Sequence, residues 1–301
     1  MRYTKEALTF EQQADRLLNR GLDADRDELI KRLSSVSYYR LSGYLYPFRC
    51  SESDNYLEGT RFQSVWDRYC FDRRLRVLTL DAIERIEVSV RTKAVYYFSH
   101  AHGPFGYCDV AALPKLENSK YLEWRLSLQK ETARSKEPFK RAFFNKYTEH
   151  KDLPLWMLAE LMSMGSLQTF IKGAAPQIKR QIAADYGYPD ELFSSWFLSL
   201  YAARNICAHH SRFWNRVLGY SPKMPNPKFF PEWHGEHKLS DNRSGIILMI
   251  CRAWLRQISP TSQWHHRLEA LFKEYPDILP VHLGLPENWT QHPIWTGEPL
   301  V

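Results

Sequence analysis

The polar side chains of one short segment have the residue types that phosphodiester cleavage requires. The segment R-N-I-C-A-H-H-S-R-F-W-N-R spans residues 204–216, and its polar candidates are Arg204, Asn205, His209, His210, Arg212 and Asn215. An imidazole that titrates near neutral pH can move protons. An arginine can hold a phosphate and stabilise the charge that develops on it, and an asparagine can orient either partner. On a helix, Asn205 and His209 share one face, Arg212 extends that face, and the long side chain of Arg204 reaches the same groove.

The spacing of Arg204 and His209 is not specific by itself. In a chain of this composition, an arginine followed five residues later by a histidine is expected about once by chance. A histidine pair at a helix end also has a structural explanation, because its side chains can satisfy the last backbone carbonyls. The residue types alone leave both interpretations open.

Signatures of other reaction classes are absent from the sequence. It contains no G-x-x-x-x-G-K-[ST] or G-x-G-x-x-G phosphate loop, no H-E-x-x-H and no G-x-S-x-G. The five cysteines are odd in number and form no C-x-x-C pair, so we expect neither a disulfide framework nor a structural zinc site. The histidine doublets at 209–210 and 265–266 would have to meet in space to bind a metal. We therefore expect no metal and no cofactor.

Basic and aromatic residues elsewhere are candidates for RNA contacts or for support of the site. One segment carries Tyr38, Tyr39, Arg40, Tyr44, Tyr46 and Arg49. These side chains can stack on bases and contact phosphates, or they belong to an amphipathic helix that packs its rings on the core. Arg73 and Arg74 can line an RNA path or form a solvated helix face. Glu87 can orient Arg204 or His209, or pair with Arg91 four residues later.

The elements that would position these residues are helical. Capping patterns and Pro or Gly stops predict helices near 10–20, 26–35 and 37–46, and the turn-rich stretch 48–60 allows one short β-hairpin. A buried stripe with three-to-four-residue spacing predicts a helix from Arg61 to about His100, unless it is interrupted; its members are Phe71, Leu75, Leu78, Ala82, Ile86 and Val90.

The second half of the chain is predicted to be helical as well. We expect helices within 116–150, with a break near 135–138, and then at 154–163, 165–173 and 176–186. Further helices are expected from Pro189 to about Arg212, at 246–258 and at 263–274, whereas 217–240 and the tail are expected to be loop. The predicted fold class is all-α.

Composition limits the protein class. The 301 residues are 44% hydrophobic and 25% charged, which is typical of globular proteins and excludes collagen-like and disordered chains. A formal net charge of +7 is compatible with a polyanionic partner. No apolar run approaches the roughly 18 residues of a membrane helix, and the N-terminus lacks the apolar region of a signal peptide. We expect a cytoplasmic protein with no membrane partner.

Seven segments, taken together and in order, carry a family resemblance. They are L-T-F-E-Q-Q (8–13), S-Y-Y-R-L-S-G-Y-L-Y-P-F-R (37–49), E-G-T-R-F (58–62), F-D-R-R-L-R-V-L-T-L-D-A-I-E-R-I-E-V-S-V-R (71–91), W-M-L-A-E-L-M-S-M-G-S-L (156–167), R-N-I-C-A-H-H-S-R-F-W-N (204–215) and L-P-E-N-W-T-Q-H-P-I-W (285–295). The chain resembles the Abi-like abortive-infection proteins of bacteria, of the AbiD/AbiF type, which are placed in the HEPN superfamily.

The resemblance implies an HEPN-like helical bundle and a metal-independent endoribonuclease. We divide the chain into a small N-terminal helical subdomain (1–60), the bundle (61–258) and a C-terminal helix and tail (259–301). HEPN ribonucleases carry an R-x(4–6)-H motif, which Arg204 and His209 match, with Asn205 in the polar position after the arginine. The implied chemistry is attack of an RNA 2′-OH on the adjacent phosphate, with His209 moving protons and Arg204 holding the phosphate.

The resemblance also implies partners. The family pairs two motifs across a cleft, and because this chain has one R-x(4)-H, a composite site requires a homodimer. The implied setting is phage defence with RNA as substrate, and some AbiF-type systems include a structured noncoding RNA. Two alternatives stay open: a non-catalytic or RNA-regulated RNA-binding protein of the same family, and a helix-turn-helix DNA-binding regulator that uses residues 10–46.

Overall fold

The fold is built from α-helices. The computed structural model describes residue 2, residues 6–234 and residues 238–297, and in these residues strand pairing is limited to three isolated bridges. The α-helices in chain order are α1 Phe10–Leu18, α2 Arg26–Ser35, α3 Tyr38–Leu45, α4 Phe62–His102, α5 Asn118–Arg134, α6 Pro138–Lys146, α7 Leu155–Leu158, α8 Met164–Gly173, α9 Pro176–Ala184, α10 Asp190–Ala208, α11 Ser244–Ile258, α12 Trp264–Glu274 and α13 Pro293–Thr296. The prediction of an all-α fold is confirmed.

Helix α4 is the central element, because α3, α9, α10, α11 and α12 all pack on it. Its 41 residues run without interruption for about 60 Å. The predicted stripe faces the core, with Leu78 half-buried and the other five members buried. Two i,i+4 ion pairs, Asp81–Arg85 and Glu87–Arg91, brace the helix at 2.6 Å each.

A continuous hydrophobic core joins all parts of the described chain. It extends from Ala14 on α1 to Trp295 on α13. Helix α11 is buried on nearly every side, which explains why its sequence is apolar around the whole helix rather than along one stripe. The division of the chain at residues 60 and 258 stays a prediction.

Two segments differ from the sequence-based expectation. The hairpin allowed at 48–60 is reduced to a tight turn with one antiparallel bridge between Arg49 and Tyr56. The tail, expected to be loop, contains the short helix α13 and 3₁₀ turns at 280–283 and 289–291. Trp289 and Trp295 are buried there, so apolar burial orders a segment whose local sequence reads as irregular.

Candidate functional site

The candidate site lies where α10 ends. Arg204 and Asn205 occupy the last turns of this helix and are half-buried, whereas His209 and His210 follow it and are exposed. The Arg204 guanidinium donates to Asn205 Oδ1 at 3.4 Å. Within the described residues neither imidazole makes a hydrogen bond, so both rings are free to meet a ligand.

The backbone at the two histidines closes the helix. The N–H of His210 donates to Cys207 O and that of Ser211 to Ile206 O, which is the hydrogen-bond pattern of a Schellman motif. His210 takes the left-handed position of that motif, with φ of 57°. Because backbone N–H groups satisfy the last carbonyls, the structural explanation in which the imidazoles cap the helix is wrong.

Helix α10 ends earlier than predicted, and Arg212 therefore does not lie on it. The helix was expected to continue to about Arg212, which would place that side chain on the face of Asn205 and His209. The helix instead stops at Ala208 because His210 adopts a positive φ. Arg212 lies in the following loop and donates to the carbonyl oxygen of Gly43 on α3.

Helix α3 and the loop after α10 are tied together by two arginines. Arg40 donates to the carbonyl oxygen of His210, and Arg212 donates in the opposite direction to Gly43. These two contacts join residues 170 and 169 positions apart in sequence. Arg40 is therefore adjacent to the candidate site, and it binds the backbone carbonyl of His210.

A buried aspartate on α4 holds the loop from below. The Asp72 carboxylate accepts hydrogen bonds from the backbone N–H groups of Phe213, at 3.1 Å, and Trp214, at 2.7 Å. It also accepts from the Tyr44 hydroxyl and from the Arg76 guanidinium. Four donors satisfy one buried carboxylate, so this cluster fixes the loop that carries the candidate site.

Tyr44 belongs to that buried cluster and not to an exposed stacking surface. Its side chain is only 1% exposed, and its ring stacks on Trp214 with centroids 6.3 Å apart. Burial first, and then the negative charge of Asp72, raise the pKa of the Tyr44 phenol far above its ordinary value. The hydroxyl stays protonated and donates. For Tyr44 the amphipathic-helix alternative is correct and a direct RNA contact is excluded.

Asn215 has a similar positioning role. Its backbone adopts a φ of 51°, and its Oδ1 atom accepts a 2.8 Å hydrogen bond from Arg243. Together with His210 it brackets the loop 211–214 between two left-handed residues, an arrangement that costs free energy and is maintained by the surrounding contacts.

Glu87 lies between two arginines. It pairs with Arg91 at 2.6 Å, as the i,i+4 alternative predicted, and Arg91 also donates to Met162 O at 3.0 Å. Burial raises the pKa of the Glu87 carboxyl, while the charges of Arg91 and then Arg204 oppose that rise. The carboxylate thus supplies negative charge near Arg204.

Arg73 and Arg74 are not joined to the site by any contact within the described residues. Arg73 is exposed on α4. Arg74 forms an ion pair with Glu274 and lies 5.8 Å from the ring of Tyr275. For Arg74, an inter-helix contact accounts for the side chain, and an RNA path along these two residues stays a prediction.

Cys207 lies beside the motif but faces the core. It is buried, and burial raises the pKa of its thiol to about 12. It therefore stays protonated and is not a nucleophile. In residues 6–234 and 238–297 no group of three or more His, Cys, Asp or Glu side chains could hold a metal ion.

Asp72 is the residue that sequence reasoning missed. The local sequence did contain a signal for a buried charge. Asp72 and Arg76 form an i,i+4 pair directly after the buried positions Phe71 and Leu75. A charged pair on a core-facing side must be satisfied there. Its partners in the loop lie more than 140 residues away, so no local rule would have identified them.

Comparison with known proteins assigns the chain to a family. The model of the Abi-like protein family matches residues 31–215, which include α3, α4 and the whole candidate site. The chain belongs to the Abi-like protein family. No curated protein and no solved structure matches the chain. Family membership gives this Abi-like protein a general setting in abortive infection, a form of phage defence.

None of the helices in residues 6–234 and 238–297 has both the length and the apolar character needed to cross a bilayer.

Proposed function

We propose that this Abi-like protein is a metal-independent endoribonuclease of the HEPN type that acts in phage defence. The observation that carries the proposal is the placement of Arg204, Asn205 and His209 at one accessible helix end, with an unengaged imidazole. Asp72, Arg40 and Arg212 hold that end in place. A rigid support of this kind is what a catalytic group needs, since orientation supplies much of the rate.

The proposed reaction is a transesterification. The RNA 2′-oxygen attacks the adjacent phosphorus, the bond from phosphorus to the 5′-oxygen breaks, and the products carry a 2′,3′-cyclic phosphate and a 5′-OH. One proton leaves the 2′-OH and one is delivered to the 5′-oxygen. In this scheme His209 transfers a proton, Arg204 stabilises the charge on the phosphate, and Asn205 orients the guanidinium through its Oδ1 atom.

We propose further that two copies assemble the complete site. One copy supplies a single R-x(4)-H, whereas the reaction needs both a base and an acid. An exposed apolar patch, formed by Val88, Tyr96 and Trp156 together with the half-buried Val95, supports this assembly. Arg91 borders a 380 Å³ pocket in the patch and also pairs with Glu87. A second copy on this patch would bring a second motif close to the first.

The decisive experiment is cleavage of a labelled RNA pool in EDTA. Wild type should cut and leave cyclic-phosphate ends. His209→Ala and Arg204→Ala should each lower the rate by a factor of about 10² to 10⁴. The matched control is His210→Gly, which removes the neighbouring imidazole and keeps the left-handed backbone, and it should retain cleavage.

Four results would change the proposal. Full cleavage by both alanine variants would overturn the site assignment. Loss of activity in His210→Gly with retention in His209→Ala would move the proton-transfer role to the neighbouring residue. RNA binding without products in wild type would favour the non-catalytic RNA-binding alternative, and preference for duplex DNA would favour the helix-turn-helix regulator.

A further inference from the structure

Two tyrosine rings stand out from one face of the short helix that borders the candidate site. Tyr39 is 89% exposed and Tyr46 is 68% exposed, although α3 buries Leu41, Tyr44 and Leu45 on its other side. The two tyrosines are seven residues apart, so they project from the same side of the chain. Both rings keep most of their surface in water, so their faces are available to a ligand.

An arginine from the loop after the candidate site lies against α3 at Gly43, which shares the helix face of the two tyrosines. Gly43 lies four residues after Tyr39 and three before Tyr46, and its carbonyl accepts the hydrogen bond from Arg212. A Cβ atom at Gly43 would come within 3.9 Å of Arg212 Cδ, so the arginine stem lies against the helix there. The exposed tyrosine face is thus continuous with the loop that follows His209 and His210.

Arg40 adds positive charge at the edge of this face, about 100° around the helix from Tyr39. It is exposed, and its hydrogen bond to the His210 carbonyl uses one of the five N–H donors of a guanidinium. The remaining donors are available to a phosphate. Alternating aromatic rings and arginines are the arrangement that binds single-stranded nucleic acid, in which rings stack on bases and arginines contact the backbone. The net charge of +7 favours the same polyanion.

We propose that Tyr39 and Tyr46 are base-stacking subsites for single-stranded RNA beside the cleaved phosphate. This inference rests on the proposed function in taking RNA as the ligand. Seven residues at 1.5 Å each separate the rings by about 10 Å along the chain, compared with about 3.4 Å between stacked bases. The two rings therefore take two separate, splayed bases and not one continuous stack. A duplex hides its base faces, so the subsites select unpaired RNA.

The test is an equilibrium binding assay that contains no cleavage. A fluorescent 12-nucleotide single-stranded RNA of mixed sequence is titrated with His209→Ala protein at fixed low salt, and anisotropy is read. In this His209→Ala background, each of the further substitutions Tyr39→Ala and Tyr46→Ala should weaken RNA binding by a factor of about 5 to 100. This is the range expected for loss of one stacked base. Tyr39→Phe and Tyr46→Phe should stay within about twofold, because a phenyl ring stacks as a phenol does.

The matched control is Tyr220→Ala, which removes a ring that is 59% exposed but lies outside α3 and the turn after it. It should leave the affinity within about twofold of the parent. A duplex RNA of equal length should bind less tightly than the single strand, and its affinity should not depend on the two tyrosines.

Several results would overturn the stacking subsites. They are unchanged affinity in both alanine variants, equal losses in the phenylalanine variants, or no RNA binding at all. A change in self-association caused by the alanine variants would assign the face to a protein contact instead. Binding that depends on the tyrosines in a protein that never cleaves RNA would retain this inference and reject the proposed ribonuclease. Cleavage that is indifferent to both tyrosines, with unchanged RNA affinity, would do the reverse.

Discussion

At the scale of single residues, the buried carboxylate of Asp72 is central to the architecture of the site. It receives donors from α3, from its own helix and from the loop after α10, so three parts of the chain meet on two oxygen atoms. A buried charge of this kind is stable only while its partners are in place. The residue supports the candidate site without belonging to its surface.

Replacing this carboxylate is expected to be costly. Asp72→Asn leaves the Arg76 guanidinium buried without its counter-ion and turns an amide N–H₂ toward backbone donors. We expect the free energy of unfolding to fall by about 3–5 kcal/mol, measured by urea denaturation. The same exchange at Asp67, which is partly exposed on α4 and accepts from Gln63, should change it by less than about 0.5 kcal/mol. Equal effects at the two positions would contradict the assigned role.

The thiol of Cys207 offers a chemical probe of the same region. Burial raises the pKa of this thiol to about 12, so it is protonated between pH 7 and 9, whereas iodoacetamide reacts with the thiolate. The pKa of Cys108 is raised as well, but its thiol is exposed to the reagent. In the native protein between pH 7 and 9, alkylation should therefore label Cys108 and spare the buried Cys207, as read by peptide mass spectrometry. Rapid labelling of Cys207 under native conditions would show that the end of α10 opens.

At the scale of elements, the end of α10 depends on a histidine in a conformation that glycine adopts freely. We expect His210→Gly to be more stable than His210→Ala by about 1 kcal/mol, because alanine is strained at positive φ. At His209, where φ is −86°, the order should reverse, since glycine there only adds flexibility to the unfolded chain. Urea denaturation of the four variants measures both differences, and the same order at both positions would refute the left-handed turn.

The elements themselves were largely accessible from sequence. Periodic apolar residues and caps located α2, α4 and α11 closely, because those signals are local. The end of α10 was missed because a helix stop is read from glycine or asparagine, and here histidine occupies that position. The exposed rings of Tyr39 and Tyr46 and the burial of Tyr44 could not be separated by sequence, since all three lie on one short segment whose orientation is fixed by distant contacts.

The site was accessible only in part. Sequence selected Arg204, Asn205 and His209 as candidates, which lie within two turns of one another, and their catalytic role stays a prediction. It misplaced Arg212 and overlooked Asp72, whose partners in the loop are distant in sequence. Residue types and short spacings therefore indicate which groups can react, whereas the groups that hold them are supplied by tertiary structure.

At the scale of the whole molecule, the proposed dimer leads to a test of assembly. We expect light scattering to give the mass of two chains in wild type. Val88→Lys, which places a charge in the exposed apolar patch, should shift the mass toward one chain and lower RNA cleavage in parallel. The matched control, Val281→Lys, makes the same substitution at an exposed valine of the C-terminal segment. It should leave the mass and the RNA cleavage unchanged. A Val88→Lys protein that stays dimeric and active would place the interface elsewhere.

The distribution of indole rings gives the same patch an optical signature. All ten tryptophans lie in the described residues; Trp156 is 51% exposed, Trp66 is partly covered by Arg32, and the other eight are buried. Iodide, a charged quencher that stays in water, should therefore reach chiefly Trp156. If two copies meet on that patch, the fraction of tryptophan fluorescence that iodide can quench should decrease as protein concentration rises. Intrinsic fluorescence of the unlabelled protein then measures its self-association.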